Sequence, residues 1–444
     1  MKTILRSVVA LIGLCTAGLA SAQFSVGSTG ANGVFPPGAL PEGTTEIVLD
    51  LRDGTLTFNP SGSQTVIQAT PSGGFADGFL NFSSVNVPEG VTLRFVNNLA
   101  NTPVTMLSQT DVSIAGVIDL SGKPGRDGGE GGNNGGGEPG PGGFRGGNGE
   151  LLEGNDRAGT GFGPGGGRGA TTSNGGSGGG FGVNGTDGSG NANGRGIAYG
   201  TPELLPLIGG SGAGGGGARS GVPTVIGGGG GGGGGAILIG ADGVVDIGSA
   251  GGIRARGGSG GFGCGGGGSG GAVRILAEEI RGTGFVDAGG GSGSPGASFH
   301  CGAGGSGGVG RIRFESFTFT YDGSRTGIAS FSGQGIVQLP NQPTIEFTSV
   351  GGNGVPAEPR GNRGGVDIVI DQPGTVTVAL AARKVPTGTT LEVTAKAEQD
   401  GPVIGPVLTG GLTGSFDNST ATVDITFPQS GVYFLEARAT FTTQ

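Results

Sequence analysis

Of 444 residues, 113 are Gly, about a quarter of the chain against a usual ~7%, with one His, no Trp, three Cys and a net charge of −9. An acidic chain with scattered Lys and Arg has no electrostatic route to a phosphate backbone, so nucleic acid is excluded as a partner. The bias is local, with 81 Gly between residues 121 and 310 and 32 elsewhere, so composition speaks to architecture and compartment rather than to a reaction.

Residues 1–22 read as a secretory signal peptide. Lys2 and Arg6 precede an apolar run from Val8 to Leu19, and Ala20-Ser21-Ala22 supplies small residues for cleavage after Ala22. Cys15 lies in that run behind Leu14, too large for the usual lipoprotein cut. The run is too short to span a bilayer, and no later segment approaches ~20 apolar residues, so no transmembrane segment is expected. Losing two cations leaves 22 − 33 = −11 on an exported chain. Only Cys264 and Cys301 remain, an even count in an oxidising compartment, which points to a disulfide.

Residues 23–121 read as β structure, the first turns and the cap of a solenoid that continues after residue 235. The runs EIVLDL, TLTF, TVIQAT, FLNF, VTLRFV and PVTML alternate or are β-branched between Gly, Pro and Asn. Residues 122–235 form a glycine-rich insertion whose composition allows disorder or polyproline-II strands packed through Gly.

Residues 236–337 carry a repeat. The run from Gly270 to Glu278 lies over the one from Gly234 to Asp242 with a shift of 36, and over the one from Gly307 to Glu315 with a shift of 37. A weaker copy matches Val112, Gly116 and Asp119 to Ile280, Gly284 and Asp287. This predicts a solenoid whose short strands pair with the turns above and below, about 4.8 Å away, with glycine in the returns. Cys264 and Cys301 share one template position, while Ile226, Phe262 and Phe299 share another. A Cys264–Cys301 bond would therefore staple neighbouring turns. After a linker, residues 344–444 show about six short strand-like runs, the pattern of a β-sandwich.

The runs NFSSVNVPEGVTLRF, NTPVTMLSQTDVSIAGVIDLSG, GGGGGGGGGAILIGADGVVDIG and GGGGSGGAVRILAEEIRGTGFVDAGGG resemble glycine-rich, exported bacterial proteins with β-helix-like turns. The tail from TIEFTSVGGNGVPAEPRGN onward is similar to the immunoglobulin-like domain that often closes them. The resemblance implies an all-β chain: a β-solenoid with a long insertion, then an immunoglobulin-like sandwich. It implies export and supplies no catalytic residues.

Several motifs are explained without chemistry. GxGxxG strings arise by chance in so glycine-rich a stretch, and none opens a helix after a strand. Two triplet runs, with Gly at 122, 125, 128 and 131 and at 137, 140, 143, 146 and 149, are broken at Asn134 and Leu152, too short for collagen. Asp187-Gly188-Ser189-Gly190-Asn191 starts like a calcium loop but has Ala192 and Ala198 where Gly and an acid are needed, so a turn is expected. His300 beside Cys301 points to the opposite face of an extended segment and lacks a third group to orient it. No cofactor or metal is expected.

The strongest enzyme reading is a polysaccharide lyase or hydrolase using Arg254, Arg256, Arg274, Arg281, Arg311 or Arg313 with Asp246, Glu278, Glu279, Asp287 or Glu315. The alignment stacks Arg274 over Arg311 and Glu278 over Glu315, but alternating charges also keep an outer strand face wet. The preferred reading is a non-enzymatic, secreted structural or adhesive protein of the cell surface or extracellular matrix. Its expected partners are further copies of itself in a filament or sheet, or cell-surface glycans.

Overall fold

Alternating apolar runs and β-branched residues fold as expected: every regular element among the described residues is a β-strand. The computed structural model describes residues 24–441, except 60–63, 67–74, 76, 131–133, 152–156, 219–224, 297–300, 338–342, 357–358, 360–365, 371–372 and 399–402. Ala22 with the whole signal-like segment, and His300, lie outside the described residues. Among those described, no helix is long and apolar enough to cross a membrane.

Two large sheets enclose the main core. In the first, of nine strands, Ala236–Ile247, Ala272–Gly282 and Arg311–Phe319 run parallel, side by side. Ile328–Ser332 extends it on one side. On the other, Ala236–Ile247 pairs directly with Val104–Ser108 and Val112–Ile114, across the whole glycine-rich stretch. The second sheet has eight strands. It is parallel from Ser324–Thr326 through Phe285–Asp287, Gly252–Arg254, Val117–Asp119 and Thr92–Val96 to Glu46–Asp50, then turns antiparallel through Thr55–Phe58 and Gln64–Val66. Inward residues of both sheets, such as Leu80, Met106, Ile239, Ile275 and Phe314 from one and Ile47, Leu93, Ile118, Ile253 and Val286 from the other, form one apolar cluster. The first sheet is covered on its outer face as well. Leu238 and Leu276 pack with Val26, Leu107 and Leu207, and Ala236 and Ala272 pack with Phe181 and Leu204. Burial on both faces is why AILI and AVRILA read as near-continuous apolar runs.

The glycine runs form a third body. Within Gly227–Gly235 each residue bonds to a different neighbour and the pattern returns after three. Gly230 donates to Gly147 O, Gly231 to Gly266 O and Gly232 to Lys123 O, while Gly233 turns back to Phe144 O beside the first. Gly122, Gly125 and Gly128 likewise donate to Arg256 O, Ser259 O and Phe262 O, every third residue to every third. Three residues per turn is the period of polyproline II, a rod with no internal hydrogen bonds and so free to bond outward on all sides. Here the rods bond to one another, which needs backbones closer than side chains allow. A Cβ on Gly231 would collide with Gly258 O, and one on Gly232 with Glu138 O. Of the two states open to residues 122–235, packed polyproline rods describe runs such as 122–128, 175–180, 210–216 and 227–235, with turns at Ser173, Asn193 and Leu204 between rods.

Residues 344–441 form two antiparallel sheets. Five strands follow the spatial order Asn353–Gly354, Thr344–Val350, Gly374–Arg383, Asn418–Phe427, Thr413–Ser415, and three the order Val403–Leu408, Leu391–Ala397, Tyr433–Ala439. They share one apolar cluster around Val378, Leu380, Leu391, Val393 and Ile425.

The expected architecture, a β-solenoid carrying an insertion and closed by an immunoglobulin-like β-sandwich, is corrected by this topology. The chain is all-β, but its sheets are several, open, and mixed parallel and antiparallel. The glycines between Gly227 and Gly310 are not returns closing a coil. The glycine runs 227–235, 257–271 and 302–310 are rods of the same bundle as the supposed insertion, as in Gly266 N–H to Gly214 O and Gly305 N–H to Gly176 O. A sequence repeat specifies which strands become parallel neighbours; it does not specify that the backbone between them closes a turn.

The register is corrected too. Ala236 pairs with Ala272, the expected shift of 36, but Ala272 pairs with Arg311, a shift of 39 rather than 37. The position that repeats is the last glycine before each strand: Gly235, Gly271 and Gly310 donate to Leu120 O, Ala255 O and Ala288 O. A slip of two leaves every side chain on its expected face, so the apolar pattern could not reveal it.

Cys264 and Cys301 are bonded, with Cα atoms 6.1 Å apart and a sequence separation of 37. Opening this loop by Cys301→Ser is expected to lower stability by about 3 kcal/mol. Denaturant unfolding of that variant beside the oxidised parent checks it, and equal midpoints would contradict a stabilising staple.

Candidate functional site

The charged residues singled out above are brought together in pairs, not in one cluster. Asp246 and Arg281 face each other across adjacent strands, 2.9 Å apart and partly exposed. Asp287 takes Arg256 at 2.9 Å and also the Gly289 amide. Arg254 lies in register between Asp119 and Asp287 with its guanidinium 4.9 Å from the Phe285 ring, while Asp119 is held by Arg94 at 2.6 Å. Arg311 donates to Tyr199 O and lies over Phe181; burial lowers its pKa. Glu279 accepts from Thr320, and Glu278 is exposed.

Arg274 and Glu315 depart furthest from expectation. Instead of keeping an outer face wet, Arg274 is 1% exposed. It sits beside Arg313, not Arg311, and Glu315 beside Leu276, not Glu278. Arg274 Nη2 reaches Glu315 Oε2 at 2.8 Å and Arg313 Nε reaches Oε1 at 3.0 Å. Arg274 also donates to the carbonyls of Ile336 and Val337. These bonds tie the segment after Ile328–Ser332 across the sheet's outer face. Buried so, Arg274 cannot touch a polysaccharide.

Asp187 accepts from the Arg195 amide at 2.8 Å and guanidinium at 3.0 Å, closing a turn. These hydrogen bonds hold its carboxyl below the ordinary value. Among the described residues, no three His, Cys, Asp or Glu side chains are grouped to hold a metal.

A cleft of about 860 Å³ lies where the tail unit meets the glycine bundle. Its walls are Phe347 of Thr344–Val350, Tyr433 and Phe434 of Tyr433–Ala439, and Phe144 and Phe162 of the bundle. Phe162 and Phe434 meet edge to face at 4.6 Å. Glu346, Asp367, Glu436 and Asn101 add polar atoms, and burial pushes the Tyr433 hydroxyl pKa up.

A polar latch holds the seam. Buried Lys396 bonds Glu436 at 2.9 Å and Gly163 O at 3.0 Å, Glu436 accepts from the Gly163 amide, and Arg145 reaches Glu398 at 3.0 Å. Lys396→Met is expected to weaken it by about 1.5–3 kcal/mol, the worth of hydrogen bonds to charged groups. Hydrogen exchange at Gly161 and Gly163 should then rise while exchange in Ala236–Ile247 stays constant; unchanged seam exchange would contradict the latch.

Sequence reasoning missed this cleft. One signal was present: in the glycine stretch Phe144, Phe162, Phe181 and Tyr199 recur at intervals of 18, 19 and 18 residues. Each ends a rod, the first two at the seam and the last two, with rings 4.7 Å apart, against the outer face of the nine-stranded sheet. Compared with protein-family models, with curated proteins and with solved structures, the chain matches none.

Proposed function

We propose that this is a secreted structural or adhesive protein of the cell surface or extracellular matrix, with the glycine bundle as stiff support and the seam cleft as the place where a cell-surface glycan binds. The observation that carries this reading is the cleft's chemistry. Its aromatic rings match the apolar faces of sugar rings, and rim carboxylates and an amide match hydroxyls. The pairing of Arg281 with Asp246, of Arg256 with Asp287 and of Arg274 with Glu315 supports it, since these side chains brace neighbouring strands. The signal-like first 22 residues and the disulfide support export.

The test is binding of the chain lacking residues 1–22 to intact cells and to a panel of acidic and neutral polysaccharides. Retention is expected, with loss in Leu99→Asp and Val366→Asp, two exposed cleft positions, at unchanged melting temperature. No affinity for any cell or glycan would overturn the reading, and depolymerisation of a polysaccharide would replace it with an enzyme.

A further inference from the structure

The two ends of the nine-stranded sheet are unlike. At one, Leu80 and Phe82 are fully buried, with Phe35 packed on Phe82 and Phe75 beside them in the core. At the other, the inward column that runs through Met106, Ile239, Ile275 and Phe314 ends in Phe331. Its ring stacks on Phe314 at 5.4 Å, yet the residue is 51% exposed, with Phe319, 5.2 Å from it, at 39%. The core is closed at one end and unfinished at the other.

The strand at the unfinished end, Ile328–Ser332, reads Ile-Ala-Ser-Phe-Ser and pairs on one side alone among the described residues. Natural edges are guarded by charge, proline or bulges. The neighbouring edge Ser324–Thr326 carries Arg325, whereas this strand has no guard. Ile328 turns its amide inward, to Gly310 O. By strand alternation Ser330 does likewise, and the N–H and C=O groups of Ala329 and Phe331 point outward.

We infer that this edge pairs with the same edge of a second copy, antiparallel about a two-fold axis at Ser330, giving a closed dimer. The strand is self-complementary about that residue. Ala329 falls opposite Phe331 of the second copy, a small side chain facing a large one. Both residues have outward N–H and C=O groups, so two hydrogen bonds form on each side of the axis. Both side chains face inward, so each Phe331 covers the other copy's open core. Head-to-tail growth is not available, because the far edge of the same sheet is occupied: Asn32 donates its amide to Asn81 O and accepts the Asn81 amide on Oδ1, and Val34–Phe35 is two residues long and ends at Pro36. The inference deepens the structural reading by naming the partner and its surface. It is read by mass rather than by glycan binding, so the two fail separately.

Sedimentation velocity of the chain lacking residues 1–22, from about 1 to 100 µM, is the experiment. A concentration-dependent monomer-to-dimer shift is expected. Ser332→Lys, at an exposed edge position, and Ala329→Pro, which removes one outward N–H, should each weaken dimerisation at least tenfold at unchanged melting temperature. A monomer at 100 µM, growth beyond the dimer, or a dimer indifferent to both substitutions would overturn it.

Discussion

Gly230→Val is expected to lower stability by about 4 kcal/mol or more and to shift the thermal transition down by many degrees. A Cβ at this position would lie well inside contact distance of Ala213 O, a backbone atom that cannot rotate away. Overpacking of this kind costs about 1–3 kcal/mol before any hydrogen bond breaks. Moving the rod also strains the bonds from Gly230 N–H to Gly147 O and from Gly137 N–H to Gly230 O, each worth about 1 kcal/mol. Gly410→Ala is the control: it is exposed, a Cβ there meets nothing within 4 Å, and its expected effect is within about 0.5 kcal/mol. Equal loss in both variants would mean that close packing of the rods is not what the glycines provide.

The second large effect is at Glu315. One carboxylate serves two guanidiniums, and Arg274 and Glu315 have side chains only 2% and 3% exposed. Glu315→Ala leaves the Arg274 charge buried without a counter-ion and is expected to cost about 3–5 kcal/mol. Arg274→Met should cost less, about 2–3 kcal/mol, because Arg313 still holds the carboxylate and the apolar stem fits among Leu276, Leu238 and Val337. Chemical denaturation of the two variants, beside the double substitution, checks this ordering. If Arg274→Met were the worse, the carbonyls of Ile336 and Val337 would be the dominant partners.

What was legible in the sequence follows the kind of physics that produced it. Strands show in the alternation of runs such as EIVLDL and TLTF, whose structural burial alternates in step. The Cys264–Cys301 bond was legible because the chain beyond the signal-like segment holds just these two cysteines and the repeat brings their turns together, although the true register of 39 leaves them two positions out of step. Glycine was harder to read, because hydrogen bonds between rods such as Gly231 to Gly266 join backbones alone and leave no side-chain code for the partner. Arg274 misled for a related reason. An Arg within an alternating strand reads as solvated, and its burial depends on a segment some 60 residues further on that folds back to supply Ile336 O and Val337 O. The cleft was marked by aromatic spacing, but only the meeting of the bundle with the tail unit gives Phe144 and Phe162 their opposite wall.

The glycine rods also bear on temperature. Most folded chains owe their curved stability profile to apolar surface, whose exposure gives unfolding a heat-capacity increment of ~12–15 cal/mol/K per residue. Exposing peptide groups lowers that increment rather than raising it, and the rods bury chiefly peptide. This chain should therefore unfold with a smaller increment per residue, a flatter profile and a cold-denaturation limit set far below the ordinary one. A protein built so keeps its shape over an unusually wide range of climates without needing a larger core.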